Sequence, residues 1–309
     1  MIRLDSRQPV PESLRGAILA LGNFDGFHLG HQAVAGEAVR WARAEGRPAI
    51  VATFDPHPKR FFVPETPPFR LTTLDQREEL FAAAGADAML VIHFDAAVAA
   101  MTGESWVRDG LHGHLGAAGV VTGADFTFGK GRSATADRLG ELGAPYGIAA
   151  RTAPAVMDDG GPVSSTRIRA ALQDGDCATA TRLLSRPFTI RGLVQHGDKV
   201  GRTIGFPTAN LALGHYLRPR FGIYAVKGRL PDGKLYPGAA NIGVRPTFDP
   251  PKELLEPYFF GWSGDLYDAE IDVELHHFIR PEAKFAGLEA LTAQIAADCE
   301  EAKRLLTAG

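Results

Sequence analysis

The segment Leu21-Gly22-Asn23-Phe24-Asp25-Gly26-Phe27-His28-Leu29-Gly30-His31 gathers residue types suited to handling a phosphate. Its glycines recur at i, i+4 and i+8 and let a backbone approach a ligand closely. The segment follows an apolar run and opens an amphipathic one, so it lies where a helix N-terminus offers free N–H groups to an anion. His28 and His31, three apart, face the same way and could donate to charge that builds on a triphosphate, a form of electrostatic catalysis that needs no protein nucleophile.

Two further segments carry oxygen donors. Ser164-Ser165-Thr166-Arg167 heads a helical pattern and would supply hydroxyls, N–H groups and a positive charge to an anion; a plain N-cap is the simpler reading of the same residues. Gly201-Arg202-Thr203-Ile204-Gly205-Phe206-Pro207-Thr208-Ala209-Asn210 packs a hydroxyl and an amide oxygen two residues apart into a Gly- and Pro-containing stretch. Such a pair can serve a hard cation such as Mg²⁺, which takes few protein ligands and keeps phosphate oxygens and waters. Taken alone, the stretch is also a turn with an Asx motif.

Positioning these residues requires elements, and the pattern supplies them. Residues 16–22, 47–54, 87–94, 119–126 and 147–153 read as strands, with helical patterns at 31–46, 73–85, 104–116 and 134–143 between them. This alternation predicts a doubly wound parallel sheet, whose ligands sit beyond the carboxyl ends of its strands. Two short helices follow, and the texture changes at Arg186-Pro187. Short strand-like runs at 187–197, 221–230, 233–243, 256–262 and 269–279, separated by Gly, Pro and Asp, predict a small barrel. A last helix places Leu288, Leu291, Ile295, Cys299, Ala302 and Leu306 on one face. The expected division is 1–186 and 187–309.

Composition narrows the function. A length of 309 residues with 45% hydrophobic content suits two domains, each with a core. A formal net charge of −3 is no footprint for nucleic acid. Two cysteines make neither a disulfide framework nor a four-ligand zinc site, and the leading residues lack an apolar signal region. The expectation is a cytoplasmic protein acting on small molecules, with no membrane and no nucleic-acid partner.

With these residues in view, GNFDGFHLGHQ closely resembles the [HT]-x-G-H signature of nucleotidyltransferases, in the form found in bacterial bifunctional riboflavin kinase/FAD synthetases. The likeness continues through Thr53-Phe54-Asp55-Pro56-His57-Pro58, Gly123-Ala124-Asp125-Phe126-Thr127-Phe128-Gly129-Lys130 and Val163-Ser164-Ser165-Thr166-Arg167-Ile168-Arg169. In the second half, the Gly201–Asn210 stretch is similar to the riboflavin kinase GxxxGxPTAN motif, and 221–225, 241–248 and 280–285 follow in the family's order.

The resemblance implies an α/β Rossmann-like nucleotidyltransferase domain with a doubly wound parallel sheet, then a six-stranded flavin-kinase β-barrel with a C-terminal helix. It implies that riboflavin is phosphorylated to FMN in the barrel and FMN is adenylylated to FAD in the first domain, with ATP as co-substrate and Mg²⁺ as cofactor. Gly22, Phe24, Asp25, Gly26, His28, Gly30 and His31 would then bind ATP phosphates, with Ser164, Ser165, Thr166 and Arg167 closing from the opposite side. Asp55, Pro56, His57, Pro58, Asp125 and Phe128 would hold the flavin. Gly201, Arg202, Gly205, Pro207, Thr208 and Asn210 would bind the kinase nucleotide, Thr208 and Asn210 also taking the metal. Phosphorylating an alcohol needs a positioned base. Counting back from Gly264-Asp265-Leu266-Tyr267 assigns that role to Glu256, with Glu253 as the alternative.

Four positions depart from the family pattern: Ala134 and Thr135 replace Gly-Asp, Gly261 replaces Asp, and Asp268 replaces the last Gly of DLYG. They keep open an adenylyltransferase with an inactive barrel, or a non-catalytic flavin-binding regulator.

Overall fold

The computed structural model describes residues 1–196, 205–245 and 252–307. The chain folds as two compact units, one formed by residues 1–67 and 73–164 and the other by 68–72 and 165–309.

The first unit is built on six parallel strands in the order β1-β4-β3-β2-β5-β8. These are β1 (Ile2–Asp5), β2 (Ile18–Leu21), β3 (Ala49–Asp55), β4 (Ala88–His93), β5 (Gly119–Gly123) and β8 (Ala149–Ala153). Between β5 and β8, β6 (Thr127–Phe128) pairs with β7 (Ala134–Thr135), and beyond β8 the short β9 (Met157–Asp158) pairs with β10 (Gly161–Pro162). Side chains alternate across the sheet. Leu19 and Leu21 join one apolar cluster with Ile50, Leu90 and Val120, while Ile18 and Ala20 join another with Val51, Met89 and Val121. Burial on both faces is what makes these strands read as continuous apolar runs. Helix α1 (Leu29–Glu45) covers the second face with Val34, Ala38 and Trp41, and ends at Gly46 in the left-handed conformation.

The second unit is a closed barrel in the order β11-β12-β15-β14-β13-β16. Its strands are β11 (Phe188–Gln195), β12 (Asn210–Ala212), β13 (Gly222–Arg229), β14 (Leu235–Arg245), β15 (Lys252–Phe259) and β16 (Glu270–Arg280). Leu211, Val226, Ile242, Leu255 and Val273 are buried within it. The helix Leu288–Thr307 packs outside the wall, its Cys299 and Ala302 meeting Ala225 and Ala239.

Two differences from the sequence reading have physical causes. The Gly- and Pro-containing stretch 201–210 carries no strand pattern, yet Asn210 begins a strand that pairs with both β11 and β15; three residues are too few for a period to register. The helices Ser165–Asp174 and Cys177–Leu184 group with the barrel, so the compact units divide at 164/165. Cys177, Ala180, Leu183 and Leu184 are buried, and the second helix packs on β11 and β16.

Candidate active sites

In the first unit the phosphate-suited segment is a compact turn between β2 and α1. Phe24, Gly26 and Phe27 all have positive φ, 49°, 86° and 41°. Only Gly26 adopts this without a steric cost; each phenylalanine is held there at about 1–2 kcal/mol. Their rings are buried and meet Phe81 edge-on at 5.7 and 5.0 Å, which supplies the compensating contacts.

The turn delivers His28 to the N-cap of α1, where its Nδ1 accepts a hydrogen bond from the His31 backbone N–H at 3.3 Å. A nitrogen that accepts carries no proton, so the ring proton of neutral His28 is on Nε2. The two imidazoles stack with centroids 3.6 Å apart and planes 18° apart. A Cβ on Gly30 would lie 3.1 Å from His28 Cε1 and 3.4 Å from the Val163 carbonyl oxygen, so glycine is what lets the ring and the Val163 backbone approach the helix.

Two residues expected to bind phosphate have other tasks. Phe24 is 1% exposed and belongs to the core. The Asp25 side chain is 2% exposed and ion-paired to Arg77, Nη2 to Oδ1 at 3.1 Å. Arg77, which the sequence reading did not single out, also donates to Thr53 Oγ1 at 3.1 Å and to the Asn23 carbonyl at 3.4 Å.

Of the expected flavin residues, Asp55 ends β3, Pro56 follows a cis peptide bond, and His57 caps the short α2 (Pro58–Phe62) by accepting from the Lys59 N–H at 3.1 Å. Asp125 is exposed beyond β5. Phe128 is 7% exposed and packs into the sheet's core, with the half-buried Phe126 stacked on it at 5.9 Å. The sequence reading passed over Phe62, which is 64% exposed and meets Phe61 and Phe94 edge-on at 5.2 and 5.8 Å. Ser165, Thr166 and Arg167 open the first helix of the second unit.

In the barrel, Asn241 of β14 and Glu256 of β15 are cross-strand partners. On the other side of β15, Leu211 pairs with Leu255 and the Ala209 N–H donates to the Pro257 carbonyl at 2.9 Å, which sets Asn210 opposite Glu256. Cross-strand partners share a face, so Asn210, Glu256 and Asn241 form a polar strip over three strands, while Leu211, Leu255 and Ile242 fill the interior. Asn241 donates to Glu256 Oε2 at 3.5 Å and to Glu282 Oε1 at 3.2 Å, and Arg245 is ion-paired to Glu256. Glu253, three residues back and so on the opposite side of the strand, is bound by Arg218 at 2.7 Å. This parity favours Glu256 as the carboxylate of the strip.

Beside the strip is a cavity of about 390 Å³ lined by Phe206, Tyr258, Phe260, Cys299 and Lys303 among others. Burial pushes the Cys299 thiol up to about 11. Gly205, Pro207 and Thr208 lead into β12, Thr208 half-buried. Gly201 and Arg202 lie outside the described residues. No cluster of three or more His, Cys, Asp or Glu suited to a metal occurs among the described residues, so any cation here must be held by few protein oxygens together with its ligand. Among the described residues no helix is long and apolar enough to cross a membrane.

A parallel sheet with a histidine-bearing turn at its first crossover helix, followed by a closed barrel carrying an Asn-Glu-Asn strip, defines a two-domain nucleotide-dependent transferase. The FAD synthetase family model matches residues 10–167 and the riboflavin kinase model residues 184–306. The chain is 40% identical over 283 residues to the bifunctional riboflavin kinase/FMN adenylyltransferase of Escherichia coli strain K12, covering 92% of this chain and 90% of that protein. It is 37% identical to the protein of the same name from Bacillus subtilis strain 168, over 96% and 94%. A crystal structure described as a macrolide-efflux protein from Streptococcus pneumoniae is 31% identical and superposes with a TM-score of 0.86 over 98% of this chain and 99% of that one. The chain belongs to the bifunctional riboflavin kinase/FMN adenylyltransferase family and carries both an FAD synthetase and a riboflavin kinase domain.

Proposed function

We propose that the barrel transfers a phosphoryl group from ATP to the terminal hydroxyl of riboflavin, and that the first unit transfers the adenylyl group of a second ATP to FMN, releasing pyrophosphate. The observation that supports this reading is that one chain carries both the stacked His28–His31 pair and the Asn210–Glu256–Asn241 strip.

In adenylyl transfer a phosphate oxygen of FMN attacks the α-phosphorus of ATP and pyrophosphate leaves. His28 donates from Nε2 to the phosphate charge that grows in the transition state, beside the N–H groups of α1's first turn. His31 presents its ring on the same side. Gly22, Gly26 and Gly30 shape the backbone, and the hydroxyl and guanidinium donors of the Ser164–Arg167 motif are of the chemistry that serves a pyrophosphate. Asp55, Pro56, His57, Pro58 and Asp125 hold the flavin, with Phe62 as a flat apolar wall.

In the barrel, Glu256 accepts the proton of the riboflavin hydroxyl as the new O–P bond forms and ADP departs. Arg245 and Asn241 hold its carboxylate in place. Thr208 and Asn210 offer hard oxygens that fit Mg²⁺, which supplies charge neutralisation to the nucleotide's phosphates. Gly201, Arg202, Gly205 and Pro207 belong with that nucleotide. The cavity beside Tyr258, with apolar walls and Lys303 at its edge, suits the nucleotide base. A cytoplasmic setting accords with two free, buried cysteines.

Purified protein incubated with riboflavin and Mg-ATP, followed by chromatography of the flavins, tests the reading: FMN forms first and FAD follows. FAD made only from supplied FMN would instead indicate an inactive barrel, and no product from either flavin would indicate a binding protein.

A further inference from the structure

We propose that Arg77 is a positioning residue of the adenylyl-transfer site, holding the turn that presents His28 and His31 in register with the flavin loop; the inference rests on the adenylyltransferase reading above. The guanidinium is 1% exposed and its partner carboxylate 2%. A buried ion pair of this kind contributes little net stability, because desolvation offsets the attraction, and apolar residues of similar volume would serve a core as well or better. What the pair adds is geometry.

One rigid fork reaches three residues in two segments. It contacts Asp25 Oδ1 and the Asn23 carbonyl in the β2–α1 turn, and Thr53 Oγ1 on β3, two residues before Asp55. Thr53 in turn donates to the Asn23 carbonyl at 2.6 Å, closing the network between the two loops. Arg77 itself is fixed from behind. It lies in the first turn of α3 (Leu74–Ala83), where Thr73 and Gln76 form a reciprocal capping box. The turn it grips contains the positive-φ residues Phe24 and Phe27, a backbone arrangement that persists only when its surroundings over-determine it. The pair has a second consequence. An unpaired carboxylate three residues before His28 would repel a polyphosphate, and the guanidinium neutralises it.

The test uses the full chain. Arg77→Lys keeps the charge but loses the planar fork, and Thr53→Val removes one leg of the network with little change in volume. Each is assayed for FAD formation from FMN, for FMN formation from riboflavin, and by long-range ¹H–¹⁵N NMR of the His28 ring, which reports the Nε2–H tautomer whether or not the enzyme turns over. Arg77→Lys is expected to lower kcat for FAD formation by about 10²-fold, since a displacement near 1 Å at reacting groups costs that much. KM for ATP should move less than threefold, FMN formation should stay within twofold, and the His28 tautomer signal should weaken. Thr53→Val should show the same pattern with about a tenfold loss. The proposal is overturned if either folded variant keeps kcat within twofold, or if the His28 signal is unchanged in both. If Arg77→Lys fails to fold, Thr53→Val decides alone by the same readouts. Absence of FAD formation by the wild-type chain would remove the functional reading, and the tautomer signals would still decide whether Arg77 positions His28.

Discussion

Glu256 stands opposite Asn241 in the β14–β15 ladder and, through β12, opposite Asn210, so one carboxylate is flanked on both sides by amides from neighbouring strands. Glu253 lies on the other side of the same strand, bound to Arg218. The two carboxylates therefore serve different surfaces although only two residues separate them.

Replacing Glu256 with Gln keeps the size and removes the proton acceptor. Kinase turnover should fall by about 10²–10⁴-fold, with Mg-ADP affinity, measured by calorimetry, almost unchanged and FAD synthesis from added FMN intact. Glu253→Gln should be near wild type. The opposite result for the two variants would move the base to Glu253.

The histidine pair makes a separate prediction. His28→Ala and His31→Ala should each lower FAD formation by roughly 10²–10³-fold while FMN formation in the same sample stays near wild type. Gly30→Ala should act in the same direction, because its Cβ would press on His28 Cε1 and the Val163 carbonyl. Equal loss of both activities would point to misfolding rather than to the phosphate turn.

What the sequence conveyed and what it withheld follow a physical line. Glycines, histidines and the Thr-Asn pair announce themselves because their chemistry is local, and strand–helix alternation follows from burial on both faces of a parallel sheet. Side-chain direction inside a motif is not local. Phe24, Asp25 and Phe128 stand in the motif strings with buried side chains, Asp25 held by Arg77 from a distant helix, which the strings themselves do not show. Arg77 was invisible because its partner is 52 residues away in the chain. Asp298, buried and gripped by Arg280 at 2.6–2.8 Å, escaped for the same kind of reason, since it read as one polar position on an amphipathic helix.

The boundary between the units gives a third prediction. Leu183 and Leu184 are buried in the unit that contains the barrel, and each such leucine contributes about 1.5–3 kcal/mol as an upper estimate. A polypeptide beginning at Ser165 should therefore make FMN and melt cooperatively at a higher temperature than one beginning at Pro187. Equal melting temperatures for the two would mean that the helices at 165–184 add nothing to the barrel.

The last prediction concerns a departure from the family pattern at a position with a left-handed backbone. Asp268 replaces a glycine, and its φ of 60° puts it in the left-handed region. Its N–H donates to the Val194 carbonyl at 3.0 Å, tying the 264–268 turn to the end of β11. Aspartate tolerates this conformation better than most residues because its short polar side chain can hydrogen-bond locally. Asp268→Gly should therefore change stability by less than about 1 kcal/mol, the relief of strain being offset by a more flexible unfolded chain. Asp268→Val should cost about 1–2 kcal/mol or more, because a β-branched residue is a true outlier there. Denaturant unfolding monitored by tryptophan fluorescence, with Trp262 near the same turn, reads both changes. If valine is tolerated as well as glycine, the left-handed turn is not what position 268 maintains.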